Sequence, residues 1–149
     1  MKTITIERVD GWVRSTPLAA WGLLAAATAW VLRFNPTDRI ADPTGPCLWH
    51  AATGINGPTC GGTRMFYYLI HGNLVEAARH HLLALIGILY GGYALIAWTA
   101  SWLIGKKIPI WRPGTWAIVA YIAVFLLYAV LLRNLPWAPF SWFNIDNLT

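Results

Sequence analysis

Three long apolar stretches alternate with polar segments along the chain. They cover residues 17–34, 82–104 and 115–133, and their only charged residues are Arg33 and Arg133, which lie at their ends. A helix needs about 20 apolar residues to cross the roughly 30 Å hydrocarbon core of a bilayer. The pattern therefore predicts an all-α membrane protein with three transmembrane helices, of which the first is short.

The polar segment between the first two stretches, residues 35–81, is predicted to be a long loop that contains a short helix. Prolines and glycines interrupt its first half, as is typical of turns and loops. Residues 64–71 are apolar but too few to cross a membrane, so we predict an interfacial helix there. Thr63 is its predicted N-cap, and His71 would end it.

The second long helix is predicted to begin at Asn73. Asn73 and Glu76 have the spacing of an N-cap residue and its N3 partner, which resembles a capping box. No proline or glycine follows before the second apolar stretch. We therefore expect this helix to run through His80 and His81 without a break.

The composition narrows the class of protein. The chain has 149 residues, of which 57% are hydrophobic and 11% are charged, whereas soluble domains carry about 25% charged residues. The net charge of +5 comes from basic residues scattered singly or in pairs, without the basic stripe of a nucleic-acid-binding protein. We therefore predict a single membrane domain over residues 1–149 that binds no nucleic acid.

The positions of the basic residues predict the orientation of the chain. Three of them lie in the leader, residues 1–16, and Lys106, Lys107 and Arg112 crowd the short connection at 105–114. Because short loops rich in Lys and Arg stay in the cytoplasm, both segments are expected to be cytoplasmic. The protein would thus be a multi-pass protein of the plasma membrane.

In this orientation the loop at 35–81 and the aromatic tail at 134–149 lie on the outer side. Both cysteines and all four histidines fall between residues 47 and 81, inside that loop. Three interpretations of Cys47 and Cys60 remain open here: a structural disulfide, two free thiols, or a metal site that also uses two histidines. The disulfide suits an oxidising compartment, whereas zinc sites usually pair cysteines only two to four residues apart.

A catalytic interpretation is a further alternative. Cys60 precedes the predicted interfacial helix, and His50 or His71 could serve as its base in a Cys/His enzyme. The apolar stretches contain no histidine that could bind haem, so no cofactor is predicted. Gly87 and Gly91, four residues apart in the second stretch, are predicted to pack against another helix, either within the chain or in a partner.

The ordered series of loop motifs resembles a family of small bacterial integral-membrane proteins known only as a domain of unknown function. The series is Cys47-Leu-Trp-His-Ala-Ala-Thr-Gly54, Cys60-Gly-Gly-Thr-Arg64, His71-Gly-Asn-Leu-Val-Glu-Ala77 and, later, Arg133-Asn-Leu-Pro136. Family members often have Pro-x-Cys-Pro-Gly-Cys before the Gly-x-Thr-Arg, whereas this chain has one cysteine there. They also carry Asn-Pro where this chain has two histidines.

One actinobacterial branch of that family looks like an accessory factor of the respiratory supercomplex that joins a cytochrome bc-type complex to cytochrome c oxidase. The resemblance implies a non-catalytic accessory or assembly subunit, whose partners would be subunits of those complexes and lipids. We favour this interpretation, with a Cys47–Cys60 disulfide and a loop ordered by Thr63, Arg64, His71 and Asn73. A membrane enzyme or metal-handling protein that uses Cys60 and nearby histidines is the alternative.

Overall fold

The computed structural model describes residues 16–36, 47–104 and 108–144, and over these ranges the protein is helical with no β-strand. Residues 1–15, 37–46, 105–107 and 145–149 lie outside the described residues. They include nearly all of the predicted leader, part of the predicted outer loop, the start of the predicted cytoplasmic connection and the end of the tail. The elements, in chain order, are α1 (Thr16–Arg33), α2 (Leu48–Thr53), α3 (Gly62–Ile70), α4 (Leu74–Ile104), α5 (Thr115–Val130) and two 3-10 helices (Leu132–Asn134 and Phe140–Phe143).

Two of the described helical segments are long and apolar enough to cross a membrane. They are Leu74–Ile104, with 31 residues, and Thr115–Asn134, with 20. Only 11% of the most apolar window of each is buried inside the protein. A core helix of a soluble protein would be mostly buried, so this exposure favours an apolar environment around both. The helix at the first predicted span, α1, is shorter.

Helices α1, α4 and α5 pack next to one another in alternating directions. Near the start of α1, the indole Nε1 of Trp21 donates to the hydroxyl oxygen of Thr99, near the end of α4, at 3.0 Å. After the end of α1, the carbonyl oxygen of Pro36 accepts a hydrogen bond from Arg64 Nε of α3 at 2.9 Å. The α4–α5 contacts pair His81 with Phe125 and Gly87 with Tyr121, so these helices are antiparallel.

The prediction of an unbroken second helix is wrong. His81 has φ −165° and ψ 83°, which interrupts α4 and separates residues 74–80 from the apolar segment 82–104. Neither proline nor glycine causes the interruption. It persists because side chains from elsewhere in the chain bond to the backbone groups that it frees, as described below.

The predicted boundary and cap of the short helix also need correction. The helix runs from Gly62 to Ile70 and not over 64–71, and its N-cap is Gly61, which makes no side-chain capping bond. Gly61 has φ 81°, a left-handed conformation that favours glycine. Thr63 therefore lies in the first turn with its side chain exposed, and it does not cap the helix.

The two glycines of the second span have different surroundings. A Cβ atom on Gly87 would lie 2.7 Å from the Tyr121 hydroxyl oxygen, whereas one on Gly91 would meet nothing within 4 Å. The missing side chain at Gly87 lets Tyr121 donate to the carbonyl oxygen of Leu83 at 2.6 Å. Gly87 thus lies at the contact between α4 and α5, and Gly91 faces open space.

Candidate functional site

The cysteine-bearing loop is closed by a disulfide between Cys47 and Cys60, whose Cα atoms lie 5.5 Å apart. The loop contains the six-residue helix α2, which ends at Gly54, where φ is 72°. Gly57 packs against the indole ring of Trp49, at a spot where even a methyl group would overlap the ring. The predicted disulfide is therefore confirmed, and it leaves neither sulfur as a thiol nucleophile.

Replacing both cysteines by serine is expected to lower the free energy of unfolding by about 3 kcal/mol, because the crosslink restricts a loop of about 15 residues in the unfolded chain. The measurement is unfolding in detergent, followed by tryptophan fluorescence. Wild-type protein treated with a reductant is the matched control and should show the same loss. An unchanged unfolding midpoint in both samples would contradict a stabilising role of the disulfide.

Arg133 is the centre of the site. Its side chain is fully buried, although it lies at the end of an apolar helix. Nη1 donates to the carbonyl oxygen of Cys60 at 2.9 Å, Nη2 donates to that of His80 at 2.8 Å, and Nε lies 3.4 Å from that of Phe143. One guanidinium therefore joins the disulfide loop, the interruption in α4 and the tail. We call these three segments (residues 47–60, 80–82 and 133–144) the disulfide cap.

Asparagines reinforce the same junction. The side-chain oxygen of Asn134 accepts the N–H of Asn56 at 2.7 Å, and its Nδ2 donates back to the Asn56 carbonyl oxygen at 3.0 Å. The side chain of Asn56, only 1% exposed, donates to the side-chain oxygen of Asn144 at 3.0 Å. The Asn134 side chain thus bonds to both backbone groups of Asn56. This pair of hydrogen bonds fixes the position of the loop against the end of α5.

The interruption in α4 is stabilised by the cap. His81, fully buried, donates from Nε2 to the carbonyl oxygen of Pro58 at 3.0 Å, so its Nδ1 accepts the N–H of Ala84 at 3.2 Å. This second bond makes His81 an N-cap for the apolar segment 82–104. The N–H of Leu82 donates to the Tyr128 hydroxyl oxygen at 3.3 Å. These bonds satisfy the backbone groups that an interrupted helix would leave unpaired.

Burial keeps both histidines of the interruption neutral. Desolvation, followed by the charges of Arg64, Arg79 and Arg133, lowers the pKa of His80 from 6.5 to about 4. Desolvation, followed by the charge of Arg133, lowers the pKa of His81 to about 4 as well. The His80 ring stacks on Tyr68 with centroids 5.1 Å apart, and its buried Nδ1 has no hydrogen-bond partner within the described ranges.

The residues predicted to order the loop lie along α3 and its ends. Arg64 bonds to the Pro36 carbonyl oxygen, as given above. His71 is exposed, and its Nδ1 donates to the Tyr67 carbonyl oxygen at 2.8 Å. The side chain of Asn73 accepts the N–H of Glu76 at 3.1 Å. The His71 and Asn73 contacts organise the α3–α4 turn, and Arg64 joins α3 to the end of α1. The disulfide cap depends on other residues.

The residues that hold the cap together were missed by sequence reasoning. In the sequence Arg133 marks only the edge of an apolar stretch and, with Asn134, part of the Arg-Asn-Leu-Pro motif; no local pattern assigns a contact to Asn56 or Asn134. That late motif was the available signal, because it places an arginine and an asparagine next to each other at the membrane end of a helix. Nothing in the local pattern indicated which carbonyl oxygens they would meet.

The cysteine and His81 side chains of the cap are engaged in bonds within the protein. Cys60 is bonded to Cys47, and the nitrogens of His81 bond to the backbone. No group of three or more His, Cys, Asp or Glu side chains converges on a possible metal position in the ranges 16–36, 47–104 and 108–144. The cap thus joins segments that are distant in sequence at one end of the long helices.

Comparison with known families singles out the segment that contains the disulfide loop. A family described as a protein of unknown function (DUF2752) matches residues 47–95, which include the disulfide loop, α3 and most of α4. The match covers about a third of the chain and is consistent with an uncharacterised membrane family. Arg133 and the tail lie beyond the matched residues. No curated protein and no solved structure matches the chain.

Proposed function

We propose that this protein is a non-catalytic accessory subunit of a larger membrane complex. It crosses the membrane three times, through α1, the segment 82–104 and α5, with its N-terminus in the cytoplasm. The disulfide cap then lies on the outer side, where a disulfide persists. Alternating directions of the three helices and the cluster of basic residues at 105–114 support this arrangement.

The exposed apolar surface of α5 is the observation that carries the proposal. Val119, Ile122 and Leu126 follow one another at helical spacing, and each side chain is about half exposed, at 50%, 51% and 47%. On its other side α5 meets α4 through Tyr121, Phe125 and Tyr128. The cap fixes the end of α5, so this stripe is presented in a defined orientation, as a helix–helix contact requires.

The proposed partner is a respiratory complex that joins a cytochrome bc-type complex to cytochrome c oxidase. The Cys-Gly-x-Thr-Arg and His-Gly-Asn-Leu motifs support this part of the proposal, because they resemble the family whose actinobacterial branch looks like a supercomplex accessory factor. The disulfide cap suits such a role, because it provides a rigid outer surface and has no reactive thiol. The protein would then bind the complex through apolar helix packing within the membrane and through the shape of the disulfide cap on the outer side.

Co-migration tests the proposal. The tagged full-length chain, expressed in its own host and solubilised in mild detergent, is expected to migrate with a large species that shows cytochrome absorbance. Ile122→Trp should abolish this migration by disturbing the stripe. Ile96→Trp, at a 59% exposed position on α4, is the matched control and should not change it.

The possible outcomes test the accessory role, the respiratory partner and the α5 contact separately. Migration of the wild-type chain as a small isolated species would contradict the accessory role. A large complex without haem would contradict only the respiratory partner. Equal loss with Ile96→Trp and Ile122→Trp would contradict the assignment of the contact to α5.

A further inference from the structure

An apolar groove lies along the long helices at the end away from the disulfide cap. Its volume is about 1110 Å³, and its walls come from α4, α5 and the connection before α5, with Ala20 of α1 at one side. The part of α4 that lines it runs from Ile86 to Trp98, whereas the cap meets α4 at residues 80–82. The groove is therefore a separate feature.

Small residues of α4 and one tyrosine of α5 explain why the groove exists. At Gly87 the Tyr121 side chain reaches across to the backbone of α4 and closes the space between the helices. Beyond this contact Gly91 and Ala94 line the groove, and a Cβ atom on Gly91 would have nothing within 4 Å. This part of the groove is an apolar channel that runs along α4 and that protein atoms leave open.

Where the connection before α5 borders the groove, a polar contact fixes the position of Arg112. The Tyr90 hydroxyl donates to the carbonyl oxygen of Trp111 at 2.9 Å, and the two rings meet edge to face with centroids 6.0 Å apart. This contact holds the connection in place, so that the next residue, Arg112, lines the groove. Arg112 is exposed, and its guanidinium forms no hydrogen bond or ion pair with any residue that the structure describes.

Charge at this end of the molecule favours an anionic occupant. Lys106 and Lys107 are near Arg112 in sequence, and the chain has no acidic residue between Glu76 and Asp146. Tyr90, Trp98 and Trp111, which all line the groove, are the residue types that lie at the level of lipid headgroups. An apolar helix from a second copy or a partner would fill the channel but leave the Arg112 guanidinium without an anion.

We propose that the groove binds one anionic phospholipid, with an acyl chain along Gly91 and Ala94 and the phosphate paired with Arg112. The proposal rests on the membrane placement proposed above, but not on the identity of the protein partner. The lipid would complete the α4–α5 surface below the Tyr121 contact. It would also supply the counter-charge that the described part of the chain lacks at this end.

Lipid retention tests this site on the intact chain. The purified protein is exchanged in mild detergent with phosphatidylglycerol or phosphatidylcholine of the same chain length, and bound lipid is counted by native mass spectrometry. We expect one retained phosphatidylglycerol and about fivefold weaker retention of phosphatidylcholine, the effect of one cation at an anionic headgroup. Arg112→Gln should remove this preference, and Gly91→Leu should reduce retention of both lipids by filling the channel.

Controls separate loss of the site from loss of the fold. Arg79→Gln removes a partly exposed cation near the disulfide cap, far from the groove, and should leave the lipid preference intact. Gly91→Leu should unfold at the wild-type temperature in detergent, because its side chain enters open space. Equal retention of the two lipids by the wild-type protein would overturn the proposal, as would absence of bound lipid or a dimer that excludes lipid. None of these results depends on co-migration with a respiratory complex.

Discussion

Replacing Arg133 by methionine is expected to lower the free energy of unfolding by about 4 kcal/mol, since a buried acceptor left without its donor costs about 1–3 kcal/mol. Two short bonds, to the carbonyl oxygens of Cys60 and His80, are lost together with the longer contact to Phe143. Methionine fills similar apolar space but donates nothing. The measurement is chemical unfolding in detergent, followed by tryptophan fluorescence.

Arg79→Met is the matched control for Arg133→Met. Arg79 also reaches the tail, with Nε 3.3 Å from the carbonyl oxygen of Trp142, and it lies 3.7 Å from Glu76, but its side chain is 30% exposed. Exposed contacts of this kind contribute about 0–1 kcal/mol. A similar small effect for both variants would show that the buried guanidinium does not hold the cap together.

Hydrogen exchange distinguishes loss of the cap from general destabilisation. Because Arg133 joins three segments, Arg133→Met should raise exchange together at residues 56–60, 80–84 and 141–144. Arg133→Lys should restore little protection, because one ammonium group cannot reach three separated carbonyl oxygens as a planar guanidinium does. Faster exchange confined to the 3-10 helix at Leu132–Asn134 would contradict the role of Arg133 as a link.

Acidification from pH 7 to pH 4 is expected to destabilise the protein strongly. The folded pKa values of His80 and His81 are both lowered from 6.5 to about 4. The unfolded chain therefore binds more protons between about pH 6.5 and pH 4, so stability falls as pH drops through this window and levels off below it. Each imidazole contributes on the order of 3 kcal/mol to the loss. Unfolding midpoints measured at half-unit pH intervals test this.

Two variants assign the pH effect to its residues. His80→Phe retains stacking on Tyr68 and removes a ring whose Nδ1 has no partner in the described part of the chain, so it should halve the pH dependence without loss at pH 7. His81→Phe removes bonds to Pro58 and Ala84, so it should lower stability already at pH 7. An unchanged pH dependence in His80→Phe would contradict burial of a neutral His80.

The family match covers one part of the molecule and leaves another part outside it. The matched segment, residues 47–95, contains the disulfide loop and its helical support. The arginine that binds this loop to the tail lies outside it, as do α5 and Arg112. The cap therefore depends on tertiary contacts that link the matched segment to the rest of the chain.

The sequence by itself determined the helical class, the apolar stretches and the short helix after Cys60, because hydrophobic spacing and glycine or proline positions act locally. It also favoured the disulfide over free thiols or a metal site, since the predicted outer side is an oxidising compartment and the two cysteines are farther apart in sequence than a usual zinc pair. Only the tertiary structure decided that α4 is interrupted at His81 and that Arg133 is buried. Both depend on hydrogen bonds between residues more than 20 positions apart, for which no local pattern exists.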